Sequence, residues 1–148
     1  MKSGNIFVAV GLIVLIIIFI GVFMVYYQVN IIVTTVRKDL FYAVNHAILS
    51  FDVQDLSYKK YTVNKERAEE VIQEILNQNY KSTSGGIISV GINELEIIHG
   101  KDKVEVCVLV KVRFKSVINL MGDNEHEFKM AENIKISLLQ YGMGVVYE

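Results

Sequence analysis

The 148-residue chain has no proline and no tryptophan, and its one cysteine is Cys107. A single cysteine excludes an internal disulfide, so the fold must be held by packing alone. Without proline, no position forces a helix to stop. Histidine is scarce too, with His46, His99 and His126 far apart in sequence and no His-x-x-x-His or Cys/His spacing. The zinc-ligand pattern is therefore missing. Net charge is −1, so no basic field points to nucleic acid.

What the chain does have is one long apolar run near its start. Residues 6–27, "IFVAVGLIVLIIIFIGVFMVYY", carry no charged side chain. As a helix, the run would extend about 33 Å, close to the hydrocarbon thickness of a bilayer. A secretory signal has a shorter apolar core and a small-residue cleavage site, whereas this run ends in "FMVYYQVN". Tyr26 and Tyr27 stand where an interfacial aromatic belt falls. The reading is a retained transmembrane helix within residues 1–29. Lys2 precedes it and Arg37 and Lys38 follow it, so local charge does not set its orientation.

Beyond the run, Val29, Val33, Val36, Leu40, Val44, Ala47 and Phe51 recur at steps of three and four. This spacing predicts that the same helix continues as a stalk to about residue 51, for a total length of about 69 Å. Arg37, Lys38, Asp39 and Asn45 fall off the stripe. The stripe has two possible uses, covering the protein's own sheet or packing against other subunits. The β-branched cluster "NIIVTTV" lowers helix propensity around Asn30 and admits a bend or fraying there. The stalk and a connection, "DVQDLSYKKYTV", account for residues 30–56 and the start of a small domain at 57–148.

In that domain, "NKERAEEVIQEILNQNY" predicts a short helix. Asn64 is its N-cap, Glu66 lies in its first turn, and Ala68, Val71, Ile72, Ile75 and Leu76 form its apolar face. Three strands follow. In the first, Ile88, Val90 and Ile92 alternate, then Leu95 and Ile97 on the shifted phase, which predicts a bulge at Asn93–Glu94. "KVEVCVLVKVRF" is the clearest strand, with Val104, Val106, Val108, Val110, Val112 and Phe114 on one face. "FKMAENIKISLLQY" alternates again through Phe128, Met130, Ile134, Ile136 and Leu138. Short links between the three imply an antiparallel meander covered by the preceding helices. The fold class is α+β: a transmembrane helix continuing into a long stalk helix, a short second helix and a three-stranded antiparallel sheet.

No catalytic constellation appears. "GDNEHE" at 122–127 gathers acidic groups, but without the spacing of a calcium loop, and reads as a solvated connection. "STSGG" at 82–86 lacks a nucleophile elbow or phosphate-loop lysine and reads as a turn. The expectation is a non-enzyme with no metal, cofactor or small-molecule substrate.

The apolar N-terminal helix, and "VEVCVLVKVRFKSVINLMGDNEHEFKMAENIKISL" with its two long strands and apolar connection, resemble the TadE/TadG-like minor pseudopilins of tight-adherence pili. "ERAEEVIQEILNQN" sits where that family has a helix between stalk and sheet. The resemblance implies an extracytoplasmic domain and assembly through the anchor helix with other pilin-like subunits and a pilus assembly platform. It also implies prepilin-type processing between Gly4 and Asn5, although Ala9 stands where the family carries glutamate. The alternative is a single-pass accessory or ligand-binding ectodomain of a secretion or envelope complex. A sensor of that kind would need a cytoplasmic output domain, for which the residues before position 6 leave no room.

Overall fold

The computed structural model describes residues 3–49, 63–81, 86–100, 103–117 and 124–137. Phe51, the connection at 52–62, the serine-rich turn at 82–85 and Leu138 lie outside the described residues. The elements run in the expected order: α1 (Ser3–Leu49), α2 (Lys65–Asn79), β1 (Ile87–His99), β2 (Lys103–Lys115) and β3 (Glu125–Ser137).

Helix α1 is a single 47-residue helix, unbroken at Asn30. Within the β-branched stretch, the Thr34 hydroxyl donates to the Asn30 carbonyl at 2.8 Å, four residues back, and so satisfies itself within the helix. The helix has two environments. Between Ile6 and Tyr27 every large apolar side chain except Val25 is exposed. From Ile32 onward one face is buried, through Val36, Leu40, Ala43, Val44, Ala47 and Ile48, with Val29 and Val33 half-buried. The stalk stripe therefore does cover the protein's own sheet.

Helix α2 starts as its sequence implies. The Asn64 side chain accepts from the Glu66 and Arg67 N–H groups at 2.9 and 3.3 Å, satisfying two donors of the first turn. Ala68, Ile72 and Leu76 are buried, and Val71 and Ile75 pack at the margin.

The sheet is an antiparallel meander, β1-β2-β3. Central strand β2 buries every second residue from Val104 to Phe114, because both neighbours and both helices cover that face. The expected bulge is present: β1 changes register between Ile92 and Glu94. A second register change, between Ile87 and Ser89, was not expected. It puts Ile87 in the core and leaves Ile88 half-buried, reversing the phase expected of Ile88. Gly100 makes the β1–β2 turn, where an added Cβ would lie 2.9 Å from the Lys103 carbonyl oxygen.

The sequence places Glu125, His126 and Glu127 in a connection, but they belong to β3, which pairs with β2 from Lys115↔Glu125 onward. The reason is electrostatic as well as geometric. Glu125 meets Arg113 at 3.0 Å and Glu127 meets Lys111 at 2.9 Å, so β2 supplies cations that draw the acidic segment into the ladder.

The two faces of β2 should respond differently to substitution. Val108→Asp buries a carboxylate at the centre of the core, a loss of several kcal/mol. Lys111→Ala removes one exposed ion pair, worth about 1 kcal/mol or less. Denaturant unfolding of the detergent-solubilised chain, followed by circular dichroism, should show the first unfolded and the second near wild type. Equal effects would refute the face assignment.

Candidate functional site

The candidate site lies along α1 and at the contacts that seat the domain on it. Four contacts use side chains that the apolar pattern does not mark. The first is at the end of the apolar run. The Gln28 amide donates to the Lys115 carbonyl at 2.8 Å, and its oxygen accepts from the Val117 N–H at 3.1 Å. One side chain thus occupies both hydrogen-bonding groups at the end of β2. Gly86 completes the junction with φ +84°, a conformation disfavoured for other residues. A Cβ there would meet the Lys115 carbonyl oxygen at 3.0 Å and the Gln28 amide nitrogen at 3.2 Å.

The second contact repeats this device on α2. The Gln73 amide donates to the Val90 carbonyl at 3.1 Å and accepts from the Ile92 N–H at 2.9 Å. It pairs part of the outer edge of β1 as a neighbouring strand would. The third joins α1 to β3. The Arg37 Nε donates to Glu132 Oε1 at 2.6 Å, with the Glu132 side chain only 18% exposed. Glu132 is opposite Val108 and therefore interrupts the apolar row of β3 on the core-facing side. A break in the run Phe128, Met130, Ile134, Ile136 was the one sequence signal for this pair.

Asp39, also off the apolar stripe, accepts from the Tyr80 hydroxyl at 2.6 Å and ties the end of α2 to α1. Burial first, and then the hydrogen bond to Asp39 and its negative charge, push the Tyr80 phenol well above its ordinary value. On the solvent face of the sheet, Glu105 is held below the usual carboxylate range, chiefly by its hydrogen bond from Lys103 at 2.7 Å.

The structure does not bring the histidines together. His46 stacks at a tilt beside Tyr42, His99 Nε2 accepts from the Val63 N–H at 3.1 Å, and His126 packs against Phe114. Among the described residues no three His, Cys, Asp or Glu side chains could hold a metal ion. Cys107 is half-buried on the solvent face between Glu96 and Asn133. Asn5 lies exposed in the first turn of α1, beside Gly4.

The remaining feature is the face of α1 opposite its buried stripe, bordered by Val117 at the end of β2. Ile13, Ile17, Ile20, Met24, Tyr27 and Ile31 follow one another at steps of four and three and are exposed. The same line continues past Thr35 and Lys38 to Tyr42. Ile31, Phe41 and Tyr42 are 49%, 54% and 62% exposed, although they lie beyond the apolar run.

No family model, no curated protein and no solved structure matches this chain. The geometry defines the class: an α+β domain built on the second half of one helix whose first half is long and apolar enough to cross a membrane.

The Tyr80–Asp39 bond carries a pH signature. The phenol ionises near pH 10 in the unfolded chain and higher in the folded one. Its contribution is complete below about pH 10 and declines above it, by up to about 1.4 kcal/mol per pH unit. Tyr80→Phe should be less stable than wild type by about 1–3 kcal/mol at pH 7. The gap should narrow above about pH 10 in paired urea titrations. A gap independent of pH would show that the phenol does not titrate abnormally.

Proposed function

We propose that the chain is a membrane-anchored structural subunit of the minor-pseudopilin kind, assembling through α1 with other pilin-like subunits. The observation that carries this reading is the exposed apolar line on α1 that runs through the membrane-length segment to Ile31, with Phe41 and Tyr42 exposed again farther up the stalk, beyond Thr35 and Lys38. The core of the domain packs against the opposite face of the same helix, and Val117 borders the line at Met24 and Tyr27. A helix that served only as an anchor needs no aromatic side chains exposed about four turns above the bilayer. A helix that packs against other helices in lipid, and then in a filament, needs exposed apolar side chains on its stalk as well as in its membrane-length segment.

The energetics suit storage followed by transfer. Lipid chains and the side chains of neighbouring stems are both apolar, so exchanging one for the other leaves the hydrophobic term nearly unchanged. Shape fit between helices then decides association. The domain lies on the extracytoplasmic side in this reading, and the partners are subunits with stems of the same kind and the platform that extracts them. The reading requires no catalytic centre, cofactor or small-molecule substrate.

Two substitutions on the line test it. Ile17→Asn inserts a polar amide in the middle of the apolar run, and such a group still enters a bilayer at modest cost. Phe41→Glu places a charge on the exposed stalk, where it disturbs nothing in the core. Both should leave domain stability within about 0.5 kcal/mol of wild type. Both should abolish crosslinking of the full-length protein to pilin-like subunits in native membranes. A wild-type protein that crosslinks to no such subunit, or variants that crosslink as well as wild type, would refute assembly through this face.

A further inference from the structure

Val117, just past the end of β2, is an apolar side chain with 79% of its surface exposed, far more than any other described apolar residue of the domain. It does not project into open solvent away from the stem. With residues of α1 from Phe19 to Ile31, among them Ile20, Met24, Tyr27 and Ile31 of the exposed line, it lines a groove of about 820 Å³ along α1. The lining is apolar apart from Gln28, and both ends of that amide are already bonded to Lys115 and Val117. The groove begins at Ile31, about one turn beyond the apolar run, and descends to Phe19.

The Val117 backbone is prepared for an apolar medium. Its N–H is satisfied by Gln28 and the preceding Ser116 N–H by the Asn124 carbonyl at 2.7 Å. A segment can enter lipid only if its backbone polar groups are paired internally. The Gln28 clamp does this for the Val117 N–H and the Lys115 carbonyl, and it holds Val117 in one groove with Tyr27, the boundary of the membrane-length segment. The groove is thus continuous with the surface of α1 that faces lipid.

We infer that Val117 is a second membrane contact: in the stored subunit it enters the acyl-chain boundary of the leaflet beneath the domain, and lipid fills the groove beside it. The helix alone leaves the domain free to rotate and tilt over the bilayer. A second apolar point, fixed to the helix by Gln28, selects one orientation and keeps the line through Tyr27 and Tyr42 at a set angle to the membrane plane. This inference rests on the reading of α1 as lipid-embedded.

The absence of tryptophan makes the test direct. Three full-length variants, Val117→Trp, Phe19→Trp and Lys135→Trp, are reconstituted in phosphatidylcholine vesicles with and without brominated acyl chains. Lys135 is exposed on the solvent face, at the end of the sheet far from Gln28, and reports water. The expected result is blue-shifted emission from Trp at 117 and 19, each quenched several-fold more than at 135. Quenching at 117 should be strongest with bromines nearest the headgroups, and should be insensitive to dilution of protein in lipid. Adding Gln28→Ala to the Val117→Trp variant should weaken that quenching. Quenching at 19 with water-like behaviour at 117 overturns the inference and leaves the anchor standing. Quenching at neither position overturns the anchor itself. A blue shift at 117 without bromine quenching, or one lost on dilution, assigns the groove to a neighbouring stem and overturns lipid as its occupant. Unchanged quenching in the Gln28→Ala background removes Gln28 as the positioning residue.

Discussion

One helix must satisfy two different surroundings. Over its first half α1 presents apolar side chains on every side, as a cylinder in hydrocarbon requires. Over its second half it buries one face against a sheet and leaves the other exposed. Nothing breaks the helix between the two, so the orientation of the apolar face in one half is mechanically transmitted to the other. The domain's position relative to the membrane, the exposed line from Ile13 to Tyr42 and the placement of Gln28 all follow from this continuity.

The sheet could not stand without the helices. Three strands with one apolar face need a cover. Ile32, Val36, Leu40, Val44 and Ile48 supply one half of it, and Ala68, Ile72 and Leu76 the other. The polar contacts that set the angle of this cover are few and local. Gln28 and Gln73 each present an amide to a strand as another peptide unit would, donating through nitrogen and accepting through oxygen. A glutamine side chain has the same donor and acceptor groups as the backbone, so it can occupy a strand's hydrogen-bonding groups without adding a strand. At β1 this also blunts part of an edge otherwise open to pairing with another chain.

The solvent face of the sheet has a different logic. Glu105 lies between Lys103 and Lys135, and Lys111 and Arg113 meet Glu127 and Glu125. Each pair is exposed and individually weak. Their joint effect is on register and solubility, keeping charged a face that has Cys107 and Leu109 at its centre. The exposed apolar side chains of this molecule are therefore concentrated on the helix and at the junction beside it.

Local pattern in the sequence determined the order of elements, the continuous helix, the Asn64 cap, the apolar face of β2 and the bulge after Ile92, because periodicity and capping act over a few residues. The assignment of Ile88 to the core failed because an extra residue at the start of β1 shifts the phase, and no local signal marks it. The strand character of Glu125–Glu127 was hidden because acidic residues read as loop until Lys111 and Arg113 are placed across from them. Gln28, Gln73 and the Arg37–Glu132 pair were equally hidden. Glutamine and arginine off an apolar stripe read as solvated side chains, and only a fold that brings partners together from 17 to 95 positions away gives them a role. The sequence by itself determined which residues leave water, since that depends on their own chemistry. Tertiary structure alone decided which face of α1 stays clear of the core and that Val117 comes to rest beside the end of the apolar run, since both depend on where distant segments come to rest.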